Sequence, residues 1–153
     1  MKIGIISDTH YCRSQPWQPP DWICDSFNGA DMIIHAGDLE RPEVVQVLEK
    51  IAPVYAVRGN CDYYDYSVPE VIGIKTPAGI ITVAHRAEKA RAALKEESVI
   101  MVYGHTHIAL INQEENLLVI NPGSPVLPRG GLPPSIAVVN IFEGKIKAEL
   151  RQK

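Results

Sequence analysis

The chain has 153 residues, with 15 Lys and Arg against 18 Asp and Glu and a formal net charge of −3. This length suits one domain over residues 1–153 that can bury a large core without covalent cross-links. The acidic balance argues against a nucleic-acid partner, and the apolar stretch at the start is too short for a signal segment or a membrane span. With an odd number of cysteines (Cys12, Cys24 and Cys61) and no export signal, we expect reduced thiols in a cytoplasmic protein.

The first sixty residues alternate between short apolar runs and amphipathic segments. The β-branched runs predict strands at 2–7, 31–37 and 53–60. Helices are predicted at about 21–28 and 41–51, the second with a proline in its first turn. This alternation predicts parallel strand pairing in an α/β layer structure.

The second half has a different pattern. Residues 70–85 are typical of two strands joined by a Pro-Ala-Gly turn, and the Ala-, Lys- and Glu-rich stretch 86–97 predicts a helix. A buried strand follows at 98–104, and the stretches "HIALINQEENLLVINPGS" and "SIAVVNIFEGKIKAEL" each predict strand, turn and strand. We therefore expect a mostly antiparallel second half and one domain with two sheets.

Polar side chains follow the predicted strands at the points where the strands end. They carry carboxylate, amide or imidazole groups, and they are Asp8, His10, Asp38, Asn60, His85, His105 and His107. Ligands of open α/β sheets bind outside the carboxyl ends of the strands. Taken singly, an Asp here is more often a helix cap or a turn former. The concentration of four of the five histidines at these ends favours one common site.

Two pairs of these residues have a spacing of two. Asp8 with His10, and His105 with His107, would each direct two metal-competent side chains to one side of an extended segment. Imidazole, carboxylate and amide ligands suit Mn²⁺, Fe²⁺, Zn²⁺, Ni²⁺ or Co²⁺. The set is too large for one tetrahedral site and indicates two adjacent ions with a bridging carboxylate. Glycines 37, 59 and 104 stand next to candidate ligands and would allow close backbone approach.

The order of these blocks, D-x-H, G-D, G-N-x-D, H and G-H-x-H from Asp8 to His107, resembles the calcineurin-like metallophosphoesterase superfamily. The later stretch "NPGSPVLPR" (121–129) is similar to the short bacterial and archaeal single-domain branch, which includes the small retromer subunit. The resemblance implies an α/β fold, a four-layer α/β/β/α sandwich with mixed parallel and antiparallel sheets. It also implies a dinuclear phosphoesterase, and most simply a phosphodiesterase.

The resemblance also assigns roles to the candidate residues. One ion would be held by Asp8, His10, Asp38 and His107, and the other by Asp38, Asn60, His85 and His105, with Asp38 bridging. Mn²⁺ is the first candidate for both ions. A hydroxide between the ions would attack phosphorus in line, and Asp38, Asn60 and His105 are counted with the catalytic set.

One position departs from the wider family. Many members have a histidine after the Asn of G-N-H-[DE], where this chain has Cys61. Its thiol could donate a proton to the leaving oxygen, or it could be a small buried side chain that fills space. The substitution favours diesters with good leaving groups over phosphomonoesters.

Two arginines are candidates for contact with phosphate. Arg129 lies in the "PR" of the branch and is the assigned substrate residue, with a structural salt bridge as the alternative. Arg86 follows His85 where the family often has glycine, and we expect a solvated residue of the first helical turn rather than a phosphate ligand.

Three other features have structural interpretations. His35, inside an apolar run, is expected to be a core histidine bonded to backbone. Asp62 is expected to orient the Asn60 loop, and Trp17 and Trp22 to pack the proline-rich loop rather than line a substrate cleft.

Two rival functions remain. The alternative to an enzyme is a non-catalytic scaffold with the same fold and a residual metal site, which the completeness of the seven candidate ligands disfavours. A nuclease is disfavoured by the acidic balance. The expected partner is a small phosphodiester, and a homo-oligomer is compatible with the sequence.

Overall fold

The computed structural model describes residues 1–10, 17–62 and 68–153. Ten strands and three helices lie in these ranges. The strands are β1 (Lys2–Ile6), β2 (Met32–His35), β3 (Val54–Ala56), β4 (Val71–Thr76), β5 (Gly79–Ala84), β6 (Ser98–Val102), β7 (Leu110–Glu114), β8 (Leu117–Asn121), β9 (Ser135–Phe142) and β10 (Lys145–Gln152). The helices are α1 (Asp21–Phe27), α2 (Glu43–Leu48) and α3 (Ala87–Ala92).

The strands form two five-stranded sheets. The first has the order β10-β9-β1-β2-β3, with β1, β2 and β3 parallel and β9 and β10 antiparallel. The second has the order β4-β5-β6-β8-β7. Its central strands β5, β6 and β8 are parallel, and the outer strands β4 and β7 are antiparallel to their neighbours. The expectation of a mostly antiparallel second half is therefore only partly right.

The two sheets pack face to face around one apolar core. Side chains alternate across each strand, so Ile3 and Ile5 of β1 and Ile34 of β2 point inward and meet Ile81 and Ile100 of the second sheet. All five are fully buried. This shared core holds the two sheets in a defined alignment, and the site depends on that alignment.

The helices cover the outer faces. On the first sheet, Ile6 and Ile33 face outward against α1 and α2, where Phe27 and Leu48 are fully buried. On the second sheet, Ala90 of α3 packs on the outward-facing Met101. The fold is thus the predicted four-layer α/β/β/α sandwich with mixed sheets.

Helix α3 is half as long as the sequence predicts. The stretch 86–97 has high helix propensity, but the helix ends at Ala92. The chain must then turn into β6, where the Ser98 hydroxyl accepts a hydrogen bond from the Lys95 N–H (2.9 Å) and the Glu97 carbonyl accepts one from the Ile80 N–H (2.8 Å). Tertiary pairing outweighs local propensity here. No helix in the described ranges has the length and apolar composition needed to span a membrane.

The parallel strands of both sheets end at one rim. In the first sheet Ile6 is in register with His35, and His35 with Ala56. In the second sheet Val83 is in register with Val102, and Val102 with Ile120. The loops that leave β1, β2, β3, β5 and β6 therefore emerge side by side, and they carry the predicted ligands.

Candidate metal centre

The backbone that presents the candidate ligands is left-handed. Of the eight non-glycine residues with positive φ in the described ranges, six lie in these loops, namely Asp8, His10, Asp38, Glu40, His105 and His107, with φ between 39° and 67°. The sequence-based expectation that an extended segment aligns Asp8 with His10 and His105 with His107 is therefore wrong. Tight left-handed turns direct these side chains, and such turns cost non-glycine residues free energy that the surrounding structure must supply.

The first group of side chains lies at the ends of β1 and β6. The imidazole rings of His10 and His107 stack with centroids 5.0 Å apart, and their Nε2 atoms are 3.2 Å apart. Asp8 Oδ1 is 3.3 Å from Nε2 of His107. One ligand atom of each of the three residues lies within 4.8 Å of the others.

The second group lies at the ends of β2 and β5. Nε2 of His85 is 3.2 Å from Oδ2 of Asp38, and the His105 ring meets His85 edge-on with centroids 5.2 Å apart. Asp8, Asp38 and His85 again bring ligand atoms within 4.8 Å of one another. The two residues of the pair His105 and His107 thus turn towards different histidines.

Asp38 lies between the two groups. Its Oδ2 is 3.2 Å from His85 and 3.8 Å from Nε2 of His10, while its Oδ1 accepts a hydrogen bond from the Cys61 N–H at 2.8 Å. Burial alone would raise the pKa of Asp38, but the adjacent His85 ring and its charge, the Cys61 N–H and the charge of His10 hold it well below the ordinary value. Asp38 is therefore a carboxylate at neutral pH, within reach of both histidine pairs.

The other carboxylate of the cluster is shifted in the opposite direction. Burial raises the pKa of Asp8, against the lowering effects of Ser7, His85 and His107. Two buried carboxylates with pKa values pushed apart indicate that a second negative charge is costly in this cluster unless a positive charge balances it.

Hydrogen bonds at the far side of the rings determine which nitrogen faces the cluster. Nδ1–H of His85 donates to the Ala36 carbonyl at 2.8 Å and Nδ1–H of His107 to the Leu127 carbonyl at 2.7 Å, because a carbonyl can only accept. Nδ1 of His10 is 2.7 Å from a Glu40 carboxylate oxygen. In the neutral rings the lone pairs of Nε2 therefore point into the cluster, which is the arrangement typical of metal-bound histidines.

The Nε2 lone pairs that point into the cluster are suited to bind cations, because they lack hydrogen-bond donors among the described residues. Two unprotonated Nε2 atoms 3.2 Å apart, in His10 and His107, cannot hydrogen-bond to each other. Nε2 of His85 is buried and, among the described residues, has no hydrogen-bond partner, because the nearby Asp38 oxygen is close but not aligned for a hydrogen bond. A divalent ion at each pair would satisfy these atoms. The residues present therefore fit two adjacent divalent ions, although their role as ligands stays a prediction.

Asn60, the seventh candidate ligand, lies at the exposed edge. Its carbonyl oxygen is 3.4 Å from a guanidinium nitrogen of Arg86, and its amide donates to the Cys61 sulfur at 3.3 Å. It lines a cavity together with His85. The structure thus places Asn60 beside His85, one of the residues with which the family resemblance groups it.

Residues behind the ligands hold the loops together. The Asp62 carboxylate accepts hydrogen bonds from the N–H groups of Asp38 (3.0 Å), Glu40 (2.6 Å) and Gly59 (2.7 Å). The prediction that Asp62 orients the Asn60 loop is confirmed, and Asp62 also anchors the loop of Asp38.

The sequence interpretation missed three supporting residues. Glu40 orients His10. The buried Ser124 hydroxyl donates to the Asp8 carbonyl at 2.7 Å, and the buried Asn121 amide donates to the Gly104 carbonyl at 2.9 Å. Asn121 and Ser124 lie in the "NPGS" stretch at the end of β8, so that motif contained the signal, whereas nothing in the spacing of Glu40 indicated its contact.

Glycine is required at two points of close approach. A Cβ at Gly59 would overlap the Asp38 carboxylate. A Cβ at Gly104 would overlap the Ser7 hydroxyl and lie 2.7 Å from Oδ2 of Asp8. The predicted close approach of backbone to the ligands is confirmed at both positions, and a side chain at either would displace a carboxylate.

Cys61 is not the buried space-filling side chain that one interpretation predicted. It is half-buried, and its sulfur lies within 4.8 Å of ligand atoms of His10 and Asp38. Burial and the charge of Asp38 raise the pKa of the Cys61 thiol to about 11. At neutral pH the group is therefore a protonated thiol at the edge of the cluster.

The two candidate arginines differ in their contacts. The N–H of Arg129 donates to the His107 carbonyl at 3.1 Å, but the residue is exposed, and no ion pair of its side chain is found in the described parts of the chain. Arg86 immediately precedes α3, and it reaches across to Asn60 rather than lying wholly in solvent. Burial, followed by the charges of Arg86 and His85, lowers the pKa of His105.

The remaining interpretations of single residues are confirmed. His35 is fully buried; it accepts the Gly37 N–H on Nδ1 at 3.2 Å and lies 3.1 Å from the Thr9 hydroxyl through Nε2. Trp17 and Trp22 pack against the outer core of the first sheet. Cys24 and Cys61 are free thiols, and Cys12 lies outside the described residues.

The chain is similar to known proteins in both sequence and fold. Residues 1–144 match the model of the calcineurin-like phosphoesterase superfamily domain. The chain is 37% identical over 158 aligned positions to a probable metallophosphoesterase of Methanocaldococcus jannaschii, an alignment that covers 98% of this chain and 80% of that protein. Phosphodiesterase YfcE of Escherichia coli is 28% identical over 163 positions, covering 92% and 88%.

Solved structures show the same architecture. The structure of YfcE, a phosphoesterase from E. coli, superposes with a TM-score of 0.71 at 25% identity over 92% of this chain and 88% of that chain. Wild-type Vps29 complexed with Zn²⁺, from Entamoeba histolytica, superposes with a TM-score of 0.76 at 21% identity over 99% of each chain. The second likeness supports the fold alone.

Proposed function

Because this chain belongs to the calcineurin-like phosphoesterase superfamily, we propose that it hydrolyses small phosphodiesters at a centre of two divalent metal ions. The predicted family, fold class and broad enzyme class are thus confirmed, and the dinuclear centre and the diester substrate are the new part of the proposal. One observation supports it most strongly. The Nε2 atoms of His10 and His107 face each other next to Asp8, and Nε2 of His85 faces Asp38 beside the His105 ring, at a common rim.

The position of each candidate residue determines its proposed role. His10, His107 and Asp8 would hold one ion, and His85, His105 and Asn60 the other, with Asp38 between them. When bound, the ions would supply Lewis acidity and would lower the pKa of water at the site. Glu40, Asp62 and Ser124 keep the ligands in place through the contacts described above, so that little reorganisation is needed when substrate binds.

The identity of residue 61 supports diesters rather than monoesters. A leaving oxygen with a high pKa needs a proton donor, and the best donors have a pKa near the working pH. In this chain the position next to Asn60 carries Cys61, a thiol, where many relatives of the wider family carry an imidazole. Diesters with an acidic leaving group, such as aryl diesters, need the least help and are the substrates we propose.

Mn²⁺ is the proposed ion, with Ni²⁺, Fe²⁺, Zn²⁺ and Co²⁺ as alternatives, because the ligands combine imidazole and carboxylate groups without thiolate. We also propose that the protein works in the cytoplasm. The two cysteines within the described residues are free thiols, as is usual in a reducing compartment.

Metal analysis combined with a substrate panel tests the proposed function. The Mn²⁺-loaded protein should hydrolyse bis(p-nitrophenyl) phosphate faster than p-nitrophenyl phosphate. Asp38→Asn, which keeps the size of the side chain, should lose at least about 100-fold in kcat/KM, or about 2.7 kcal/mol. Asp25→Asn is the matched control, because Asp25 is exposed on α1. Full activity in Asp38→Asn, or no metal binding under any condition, would overturn the proposal.

The panel also separates the enzyme from the non-catalytic scaffold. A scaffold with a residual metal site would bind Mn²⁺ but hydrolyse no ester. We favour the enzyme because all seven predicted positions carry competent side chains, and six of them form the two histidine pairs and the two carboxylates between them.

A further inference from the structure

A small cavity of about 130 Å³ opens beside the second half of the metal centre. Its lining includes Asn60 and His85, and the rest of the wall carries charged side chains from the loop after β3, the residue before β4 and the beginning of the α3 region. These charged residues are Arg58, Glu70, Arg86 and Lys89. Nothing in the proposed chemistry at the metal ions uses this wall.

The described lining of the cavity has an excess of positive charge. Among the residues that the structure describes, three cations and one carboxylate line it. Glu70 is shared by two of the cations, at 2.8 Å from Arg58 and 2.8 Å from Lys89. The nearest carboxylate to Arg86 belongs to Glu88 at 4.0 Å, outside the cavity wall. Arg86 therefore has no carboxylate closer than 4.0 Å among the described residues, and its guanidinium contacts the Asn60 carbonyl oxygen at 3.4 Å.

The ion pairs around Glu70 do not prevent anion binding. All three side chains are 39% exposed or more, and exposed ion pairs of this kind are weak because water screens the two charges. A guanidinium or ammonium group in such a pair keeps donors free for a second acceptor, since Arg has five N–H donors and Lys three. An incoming anion can therefore bind these cations without first displacing Glu70.

The size of the cavity limits what the anion can be. A cavity of about 130 Å³ is well above the roughly 10–15 Å³ that admits one water and below the roughly 300–1,000 Å³ of sites for drug-sized ligands. It therefore suits one small polyatomic group rather than a nucleoside. Of such groups, a phosphate carries about −1.5 to −2 at neutral pH, which matches the excess charge better than a carboxylate does.

We propose that this cavity binds a second phosphate group of the substrate, so that the preferred diesters carry an additional phosphate on one ester arm. The cavity touches Asn60 and His85, so a substrate with its scissile phosphate at the ions would have its second phosphate between Arg86 and Lys89. This inference rests on the proposed phosphodiesterase function and names the substrate class.

Product-like ligands test the cavity without turnover. Adenosine 2′,5′-bisphosphate and 3′,5′-bisphosphate are compared with adenosine 5′-monophosphate by calorimetry on the Mn²⁺-loaded protein at constant salt. At least one bisphosphate should bind about tenfold more tightly than the monophosphate, a ratio that corresponds to about 1.4 kcal/mol. The double variant Arg86→Gln, Lys89→Gln should lose this advantage.

Arg91→Gln is the matched control, because Arg91 lies on the same helix and is similarly exposed but pairs with Glu114 away from the cavity. It should keep the tenfold advantage. If neither bisphosphate is preferred, or if the double variant retains the preference, the proposal is overturned. If a 3′-O-carboxymethyl analogue of the monophosphate binds as tightly as the preferred bisphosphate, the cavity does not select phosphate over carboxylate. That result would overturn the assignment of phosphate.

Kinetics on matched diesters distinguish this inference from the proposed function. Adenosine 5′-(p-nitrophenyl phosphate) with and without a 2′- or 3′-phosphate has the same leaving group, so a tenfold preference for a phosphorylated form reports the cavity. Hydrolysis that requires Asp38 but ignores the added phosphate would refute only the cavity. Absence of any hydrolysis, with the binding preference intact, would refute only the phosphodiesterase.

Discussion

Several residues around the candidate metal centre adopt backbone conformations that cost free energy. A non-glycine residue in the left-handed region costs about 1–3 kcal/mol, and six of the residues around the cluster are in it. The identities of Asp8, Asp38 and the histidines could be read from the sequence because their residue types are those of metal ligands. Their backbone conformation could not, because it depends on hydrogen bonds to residues such as Asp62 and Ser124 that are distant in sequence.

The contact between Glu40 and His10 predicts an effect on metal affinity. Glu40→Gln removes the negative charge that orients Nδ1–H of His10, so Mn²⁺ affinity should fall by about 10–100-fold, the usual cost of losing a residue that supports a ligand. Isothermal titration with Mn²⁺ measures this. Glu43→Gln, an exposed residue of α2, should bind as the wild type does, and an equal loss in both variants would contradict the role of Glu40.

His35 predicts a specific acid sensitivity. Burial, with the charge of His85 acting in the same direction, lowers the pKa of His35 from 6.5 to about 3. As the pH falls, His35 therefore binds a proton in the unfolded chain before it does so in the folded protein. The contribution of neutral His35 to the free energy of unfolding is complete above pH 6.5 and is lost as the pH falls towards 3.

Urea unfolding of the metal-free protein across this pH range measures the effect. His35→Gln should reduce the slope of unfolding free energy against pH by up to about 1.4 kcal/mol per pH unit. Parallel curves for the two proteins would show that His35 is not the group responsible.

At the scale of elements, strand positions follow from the sequence better than helix lengths do. Short β-branched apolar runs predicted β1 and β2 within a few residues, because a strand buried on both faces requires such a run, and the hairpin β4–β5 was predicted equally closely from its central turn. The sequence pattern extended β3 and α3 several residues beyond the points where they end in the structure. Arg58 N–H bonds to the Pro69 carbonyl instead of continuing β3, and Ser98 ends the helical region early. Both contacts are non-local.

The backbone of Gly104, after β6, packs closely against the loop that follows β1, and this contact predicts the effect of adding a methyl group at Gly104. Gly104→Ala should destabilise the protein by about 1–3 kcal/mol and weaken Mn²⁺ binding, because the new Cβ displaces Asp8. Urea unfolding and metal titration measure the two effects. Gly73→Ala, where the nearest side-chain atom would be 3.5 Å away, should change neither, and similar behaviour of the two variants would contradict the packing argument.

At the scale of the whole molecule, metal binding should stabilise the fold. Saturation of one site at 100 times its Kd adds about 2.7 kcal/mol, which for a protein of this size raises Tm by roughly 5–10 °C. Scanning calorimetry with Mn²⁺, and then with chelator, measures the shift. Asp38→Asn should lose most of it, whereas an undiminished shift in that variant would place the stabilising cation elsewhere.

The resemblance carried by the order of the motifs implied the four-layer architecture, and in the structure these motifs follow the ends of parallel strands. The sequence did not reveal that β5, β6 and β8 are parallel, since short apolar runs do not specify the direction of their neighbours. Nor did it reveal the basic cavity, whose residues Arg58, Glu70 and Lys89 are separated along the chain and meet only in the folded protein.

The candidate ligands are divided between the sheets: Asp8, His10, Asp38 and Asn60 follow strands of one, and His85, His105 and His107 follow strands of the other. Neither half alone offers a complete set of donors to either ion. The proposed ions would therefore bind only after the two sheets have docked, and the proposed hydrolysis would begin no earlier.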